Sequence, residues 1–124
     1  MADEITIDLS VRASNGDGVD ESWRKNFKSD MTGTHIGIWT QDIGFAGHEV
    51  LAFPTDLGTA GYALLTNPDA ANYVQIGGVS GSIFVPVMRL LAGESQVVRF
   101  DNSDIYAKAG GTTAVALVIR VLEA

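Results

Sequence analysis

The sequence predicts an all-β domain, an antiparallel β-sandwich of eight or nine short strands, and three observations support that prediction. Apolar and polar residues alternate with a period of two, most plainly where Ile5, Ile7, Leu9 and Val11 interleave with Thr6, Asp8, Ser10 and Arg12. Clusters of Gly, Asn, Asp and Pro punctuate the chain at intervals of about ten residues. No stretch shows sustained helical periodicity with caps. A jelly roll is the first expectation and an immunoglobulin-like sandwich the second, because strand order is not written in a hydrophobic pattern.

The first strand stops at Asn15-Gly16-Asp17-Gly18, residue types that accept positive φ and tight turns. From Glu21 to Met31 two readings compete: Trp23 and Phe27 are four apart, as on a helix. Trp23, Lys25, Phe27 and Ser29 also share one face of a strand, and the strand is preferred. Thr34 to Thr40 reads as a strand with Ile36 and Ile38 opposite His35 and Trp39, and Glu49 to Phe53 as a short one ended by Pro54. For residues 14–50 the pattern leaves open whether these are ordered strands or extended arms.

After a turn at Asp56-Leu57-Gly58, strands are predicted at Gly61–Asn67 and at Tyr73–Ile76. Pro68-Asp69 turns between them, and Gly77-Gly78 ends the second. Ser82–Leu90 carries Ile83, Val85 and Val87 on one face and Phe84 and Met88 on the other, and Pro86 marks it as an edge strand or a bulge. Ala92-Gly93-Glu94 is a turn, and Asp101 to Asp104 separates short strands at Val97–Phe100 and Ile105–Ala109. The last strand, Thr112–Leu122, is apolar on both faces, which places it centrally in a sheet or at an interface.

With 124 residues the expectation is one domain over 1–124, able to bury roughly two-thirds of the surface of its unfolded chain. Hydrophobic residues make up 46% and charged residues 19%, too apolar a balance for disorder. The net charge of -7 and the scatter of the eight Lys and Arg residues argue against nucleic acid as a partner. Cysteine is absent, which excludes disulfides, thiolate metal sites and Cys nucleophiles. Met1-Ala2-Asp3-Glu4 carries no basic region leading into an apolar run, and the apolar stretch Ala114–Ile119 is far short of a membrane span. The expectation is a chain made in a cytoplasm and not embedded in a membrane.

Candidate chemistry is sparse. His35 and His48 form no helical pair with a carboxylate, and Asn15 to Asp20 shares alternating oxygen ligands with a calcium loop but lacks its distal bidentate Glu. Val79-Ser80-Gly81-Ser82 is the nearest approach to a nucleophile elbow and reads as a turn. No glycine-rich phosphate loop occurs. The expectation is no enzyme, with no catalytic, cofactor-binding or metal-binding residues and no cofactor. Trp23, Trp39, Phe45 and Tyr62 could stack on a sugar, although core packing is the commoner fate of such rings.

In the second half, the order of the motifs resembles small virion structural proteins of tailed bacteriophages. The stretches that carry it are Asp56-Leu57-Gly58-Thr59, Gly61-Tyr62-Ala63-Leu64-Leu65-Thr66-Asn67 and Asn72-Tyr73-Val74-Gln75-Ile76-Gly77. They continue with Leu90-Leu91-Ala92-Gly93-Glu94, Val98-Arg99-Phe100, Tyr106-Ala107-Lys108-Ala109 and an apolar final strand, and cover about half the chain. The resemblance implies a β-sandwich that attaches to a virion, as a capsid decoration (cement) protein or as a head-tail or tail accessory protein. Its implied partners are the major capsid protein and further copies of itself, as a homotrimer, with no nucleic acid and no membrane. Its implied location is the virion, assembled in the host cytoplasm. A carbohydrate-binding attachment module is the alternative of a different class.

Overall fold

Alternation with a period of two becomes, in the computed structural model, an antiparallel all-β fold described over residues 4–33, 36–53, 60–100 and 104–123. Ten strands form among the described residues: β1 (Ile5–Ser14), β2 (Asp20–Ser29), β3 (Ile36–Ile43), β4 (Glu49–Val50) and β5 (Ala60–Thr66), then β6 (Val74–Ser80), β7 (Ile83–Leu90), β8 (Ser95–Arg99), β9 (Tyr106–Ala109) and β10 (Val115–Glu123). Eight make a sandwich of two four-stranded sheets, ordered β3-β10-β5-β8 and β4-β9-β6-β7, while β1 and β2 pair only with each other as a hairpin.

The pairing is nested. β6 meets β7, β5 meets β8, β4 meets β9 and β3 meets β10, so the chain runs as one long antiparallel hairpin whose successive pairs fall alternately in the two sheets. Further pairing of β10 with β5 and of β9 with β6 closes each sheet.

Between the sheets lies the core. The strand period sends Val115, Leu117, Ile119 and Val121 of β10 inward, where they meet Ile43, Leu65, Val74 and Ile76. Each such side chain contributes about 1.5–3 kcal/mol by leaving water, so β10 is the largest single contributor to the interior. At one end Phe53 stands edge-on to both Trp39 and Phe100, with centroids 5.6 Å apart in each pair, the arrangement favoured by ring quadrupoles. Across the edges of the sheets, the Gln41 side chain donates to Val50 O (3.0 Å) and accepts from Ala52 N (2.8 Å).

Several boundaries differ from the sequence-based reading. Gly77-Gly78 does not end β6, which runs on to Ser80. The register of β6 and β7 shifts there, and Val85 O and Pro86 of β7 occupy the space that a Cβ on Gly77 would need. The glycine therefore admits a bulge rather than stopping a strand. Only Glu49 and Val50 pair in the segment read as Glu49–Phe53, although Leu51 N still donates to Ile105 O at 2.7 Å. β10 begins at Val115 rather than Thr112 and takes the central place expected of it, between β3 and β5. The turns read at Asp56-Leu57-Gly58 and Asp101-Asn102-Ser103, and His35, lie outside the described residues.

Candidate interaction surface

In the N-terminal hairpin, cross-strand register decides which side chains share a face. Ile7 lies opposite Phe27, Leu9 opposite Lys25 and Val11 opposite Trp23, all on one face. The other face carries Thr6, Asp8, Ser10 and Arg12 against Lys28, Asn26, Arg24 and Ser22 and is wholly polar. The hairpin is thus an amphipathic ribbon, with its apolar residues set by the alternation that marks a half-buried strand.

Only its base is buried. Ile5 and Ile7 pack with Phe27, Met31, Tyr62, Val97 and Leu122, the Phe27 and Tyr62 rings 6.1 Å apart, and Met31 N donates to Glu4 Oε2 at 2.9 Å. Every residue from Asp8 to Asn26 is exposed. At about 3.3 Å per residue the strands carry the apolar stripe roughly 13 Å past Ile7, to Val11 and Trp23, in solvent. Val11 is 53% exposed and Trp23 66%. The tip is held by Asn15, whose side chain accepts from Asp17 N (2.9 Å) and Val19 N (3.2 Å), with Gly16 and Gly18 at positive φ.

The face on which the base rests is itself apolar beyond the contact. On the outer side of the β3-β10-β5-β8 sheet, Ile36 aligns with Leu122 and Tyr62, and Ile38 with Arg120 and Leu64. The hairpin covers Tyr62, Leu122 and Val97 but leaves Ile36 and Ile38 62% and 66% exposed. Between them and the hairpin base runs an open groove of about 280 Å³, lined almost wholly by carbon, with Arg120 as its charged residue. A further apolar set, Ile83, Val85 and Val87, lies on β7, an edge strand whose bulge and Pro86 blunt its capacity to pair.

The described residues among those singled out for chemistry are given other roles. His48 is stacked on Phe84 (5.8 Å) and edge-on to Tyr106 (5.7 Å), as a member of an aromatic cluster. Among the described residues no three His, Asp or Glu side chains converge as a metal ion requires. The oxygen of Asn15 is taken up by the backbone of its own turn, which accounts for the calcium-loop likeness. Gly81 and Ser82 form a two-residue hairpin turn between β6 and β7, both with positive φ (56° and 69°). Of the four aromatic candidates, Trp39 is half-buried against Phe53, and its indole N–H is enclosed with no partner among the described residues. Tyr62 lies under Phe27 and Arg99, leaving Trp23 and Phe45 exposed.

Three of the stretches that carry the resemblance, ending at Asn67, beginning at Asn72 and running from Leu90 to Glu94, meet in one corner of the sandwich. Asn67, fully buried, donates from Nδ2 to Asn72 O (2.9 Å) and Leu90 O (3.0 Å) and accepts from Asp69 N (3.0 Å). Its backbone bonds Glu94 and Gly93, whose neighbour Leu91 donates to Glu94 Oε1 at 2.7 Å. Asn72 reaches Gly110 O and Thr113 O at 2.7 Å each, and Tyr73, capped by Arg89 at 4.3 Å, covers Gly110. Asp69 accepts from Ala71 N and Asn72 N, which hold its carboxyl below the usual carboxylate range. These residues satisfy buried polar groups and serve architecture.

Sequence reasoning found the alternating strand but not that its outer half is bare; Leu9 and Val11 look the same in sequence whether covered or not. The signal available was the polar face of the segment Asp20–Lys28, which pairs with it. Compared with protein families, curated proteins and solved structures, the chain matches none.

Proposed function

We propose that this chain is a structural subunit of a bacteriophage particle, a capsid decoration protein that stabilises the head shell through protein–protein contacts and performs no catalysis. The observation that carries the reading is the projecting hairpin, whose apolar stripe continues from a buried base to a bare tip at Val11 and Trp23. A two-stranded ribbon is marginal alone in water, and an exposed apolar stripe beside a polar face is what a docking arm presents. The nested strand pairing adds support: it suits the jelly roll expected from the sequence, an architecture used by capsid and lectin domains, although fold by itself does not set function. The motif order of the second half points the same way, and the net charge of -7 suits a subunit working near packaged DNA.

A sugar-binding module would need aromatic platforms on one accessible face. Trp39 packs between the sheets and Trp23 stands on the arm, and Phe27, on the same face of the arm, is packed into its base.

Quantitative mass spectrometry and cryo-electron microscopy of the particle encoded with this chain test the proposal. Expected is a copy number set by shell symmetry, with purified protein binding expanded shells that lack it. A few copies at a single vertex would move the assignment to a head-tail accessory role, and absence from purified particles would overturn it.

A further inference from the structure

We propose that the hairpin arm of one copy docks in the apolar groove of another, so that the chain assembles with itself through its Leu9-Val11-Trp23 stripe and the partner copy's Ile36-Ile38 face. The inference rests on the reading of the chain as an assembling subunit and names the first partner in that assembly.

Both halves of the contact are present on one chain. The stripe is known to fit this sheet face, because its own base already does so: Ile5, Ile7 and Phe27 pack on Tyr62, Val97 and Leu122. The groove continues that face outward to Ile36, Ile38 and Leu64, side by side in register across β3, β10 and β5. An arm from a second copy would extend the same packing over the part that its own arm leaves bare. The chain cannot fill the groove itself, since its hairpin is fixed at the base and runs outward with every residue from Asp8 to Asn26 in solvent.

Spacing and charge agree. Leu9 and Val11 repeat at the two-residue strand interval, as do Ile36 and Ile38, so apolar side chains on the two surfaces recur with one period. Arg120 is the charged side chain lining the groove, and Glu21 lies two residues from Trp23 on the stripe side of the arm. Trp23 entering beside Arg120 brings Glu21 and Arg120 together and gives the guanidinium an indole face. A contact made by two different surfaces propagates unless it closes, so the assembly is a ring or a reciprocal pair.

Analytical ultracentrifugation of the wild type, Val11→Ser/Trp23→Ser and Ile36→Ser/Ile38→Ser tests this, with circular dichroism melts as the check on folding. All four positions are exposed, so both variants are expected to melt like the wild type. The wild type is expected to sediment as a symmetric oligomer and each double variant as a monomer. Mixing the two variants is expected to restore a 1:1 dimer, since one retains the groove and the other the arm. A monomeric wild type, an arm variant that still assembles, or a mixture that stays monomeric would each overturn the inference. A monomeric wild type that still binds shells would overturn only this contact, whereas an oligomer absent from particles would overturn only the proposed function.

Discussion

At the scale of single residues, the polar corner around Asn67 shows how a few side chains hold the end of a sandwich. Asp69 is its titratable member. The Ala71 and Asn72 amides favour its charged form and outweigh the opposing effect of burial, so its pKa lies below the ordinary value. A depressed carboxylate contributes stability that is complete above the unfolded pKa, about 4, and is lost as pH falls through the folded value. Asp69→Asn keeps an acceptor oxygen but not the charge. Urea midpoints of the wild type and this variant should therefore differ by a constant amount from pH 5 to 7 and draw together below about pH 4. A gap unchanged at pH 3 would show that the charge contributes nothing.

At the scale of the elements, β6 and β7 depend on a backbone approach that only glycine permits. A methyl group on Gly77 would meet Val85 O and Pro86, main-chain atoms that cannot swing aside, whereas one on Gly78 would meet nothing. Gly77→Ala is expected to cost about 3 kcal/mol, the upper range for overpacking, and to loosen the edge strand. Gly78→Ala should fall within about 1 kcal/mol of the wild type and could gain from a stiffer unfolded chain. Equal urea midpoints for the two variants would rule out the bulge as the reason for Gly77.

The same pair shows why part of the fold was legible and part was not. Strand positions follow from local alternation, so Ile5–Val11, Ile83–Leu90 and Val115–Val121 could be read from the chain directly. Gly77-Gly78 looked like a terminator because the atom that most needs the glycine belongs to Val85, eight residues away and across a register shift. Trp23 and Trp39 have the same residue type and similar strand settings, and only long-range pairing puts one on the arm and the other between the sheets. The arm and groove were unreadable for the same reason: the alternation of Leu9 and Val11 is identical in a covered strand and a bare one.

For the molecule as a whole, nested pairing has a consequence for how the chain reaches its structure. Closing β6 on β7 spans a two-residue turn, while closing β3 on β10 must bring together residues about 70 positions apart, with Ile43 opposite Val115. Loop-closure entropy rises with that separation, and each inner pair shortens the loop that the next must close. Folding is therefore expected to zip outward from Gly81-Ser82, with the β1-β2 hairpin secured once its base packs on Tyr62, Val97 and Leu122. Pulse-labelled hydrogen exchange during refolding checks it: amides of β6 and β7 should gain protection before those of β3 and β10, and the reverse order would refute the scheme. Because Val115, Leu117, Ile119 and Val121 complete the core, the sandwich cannot close during synthesis until β10 has left the ribosome. The arm segment, synthesised roughly a hundred residues earlier, must wait for the body that anchors it.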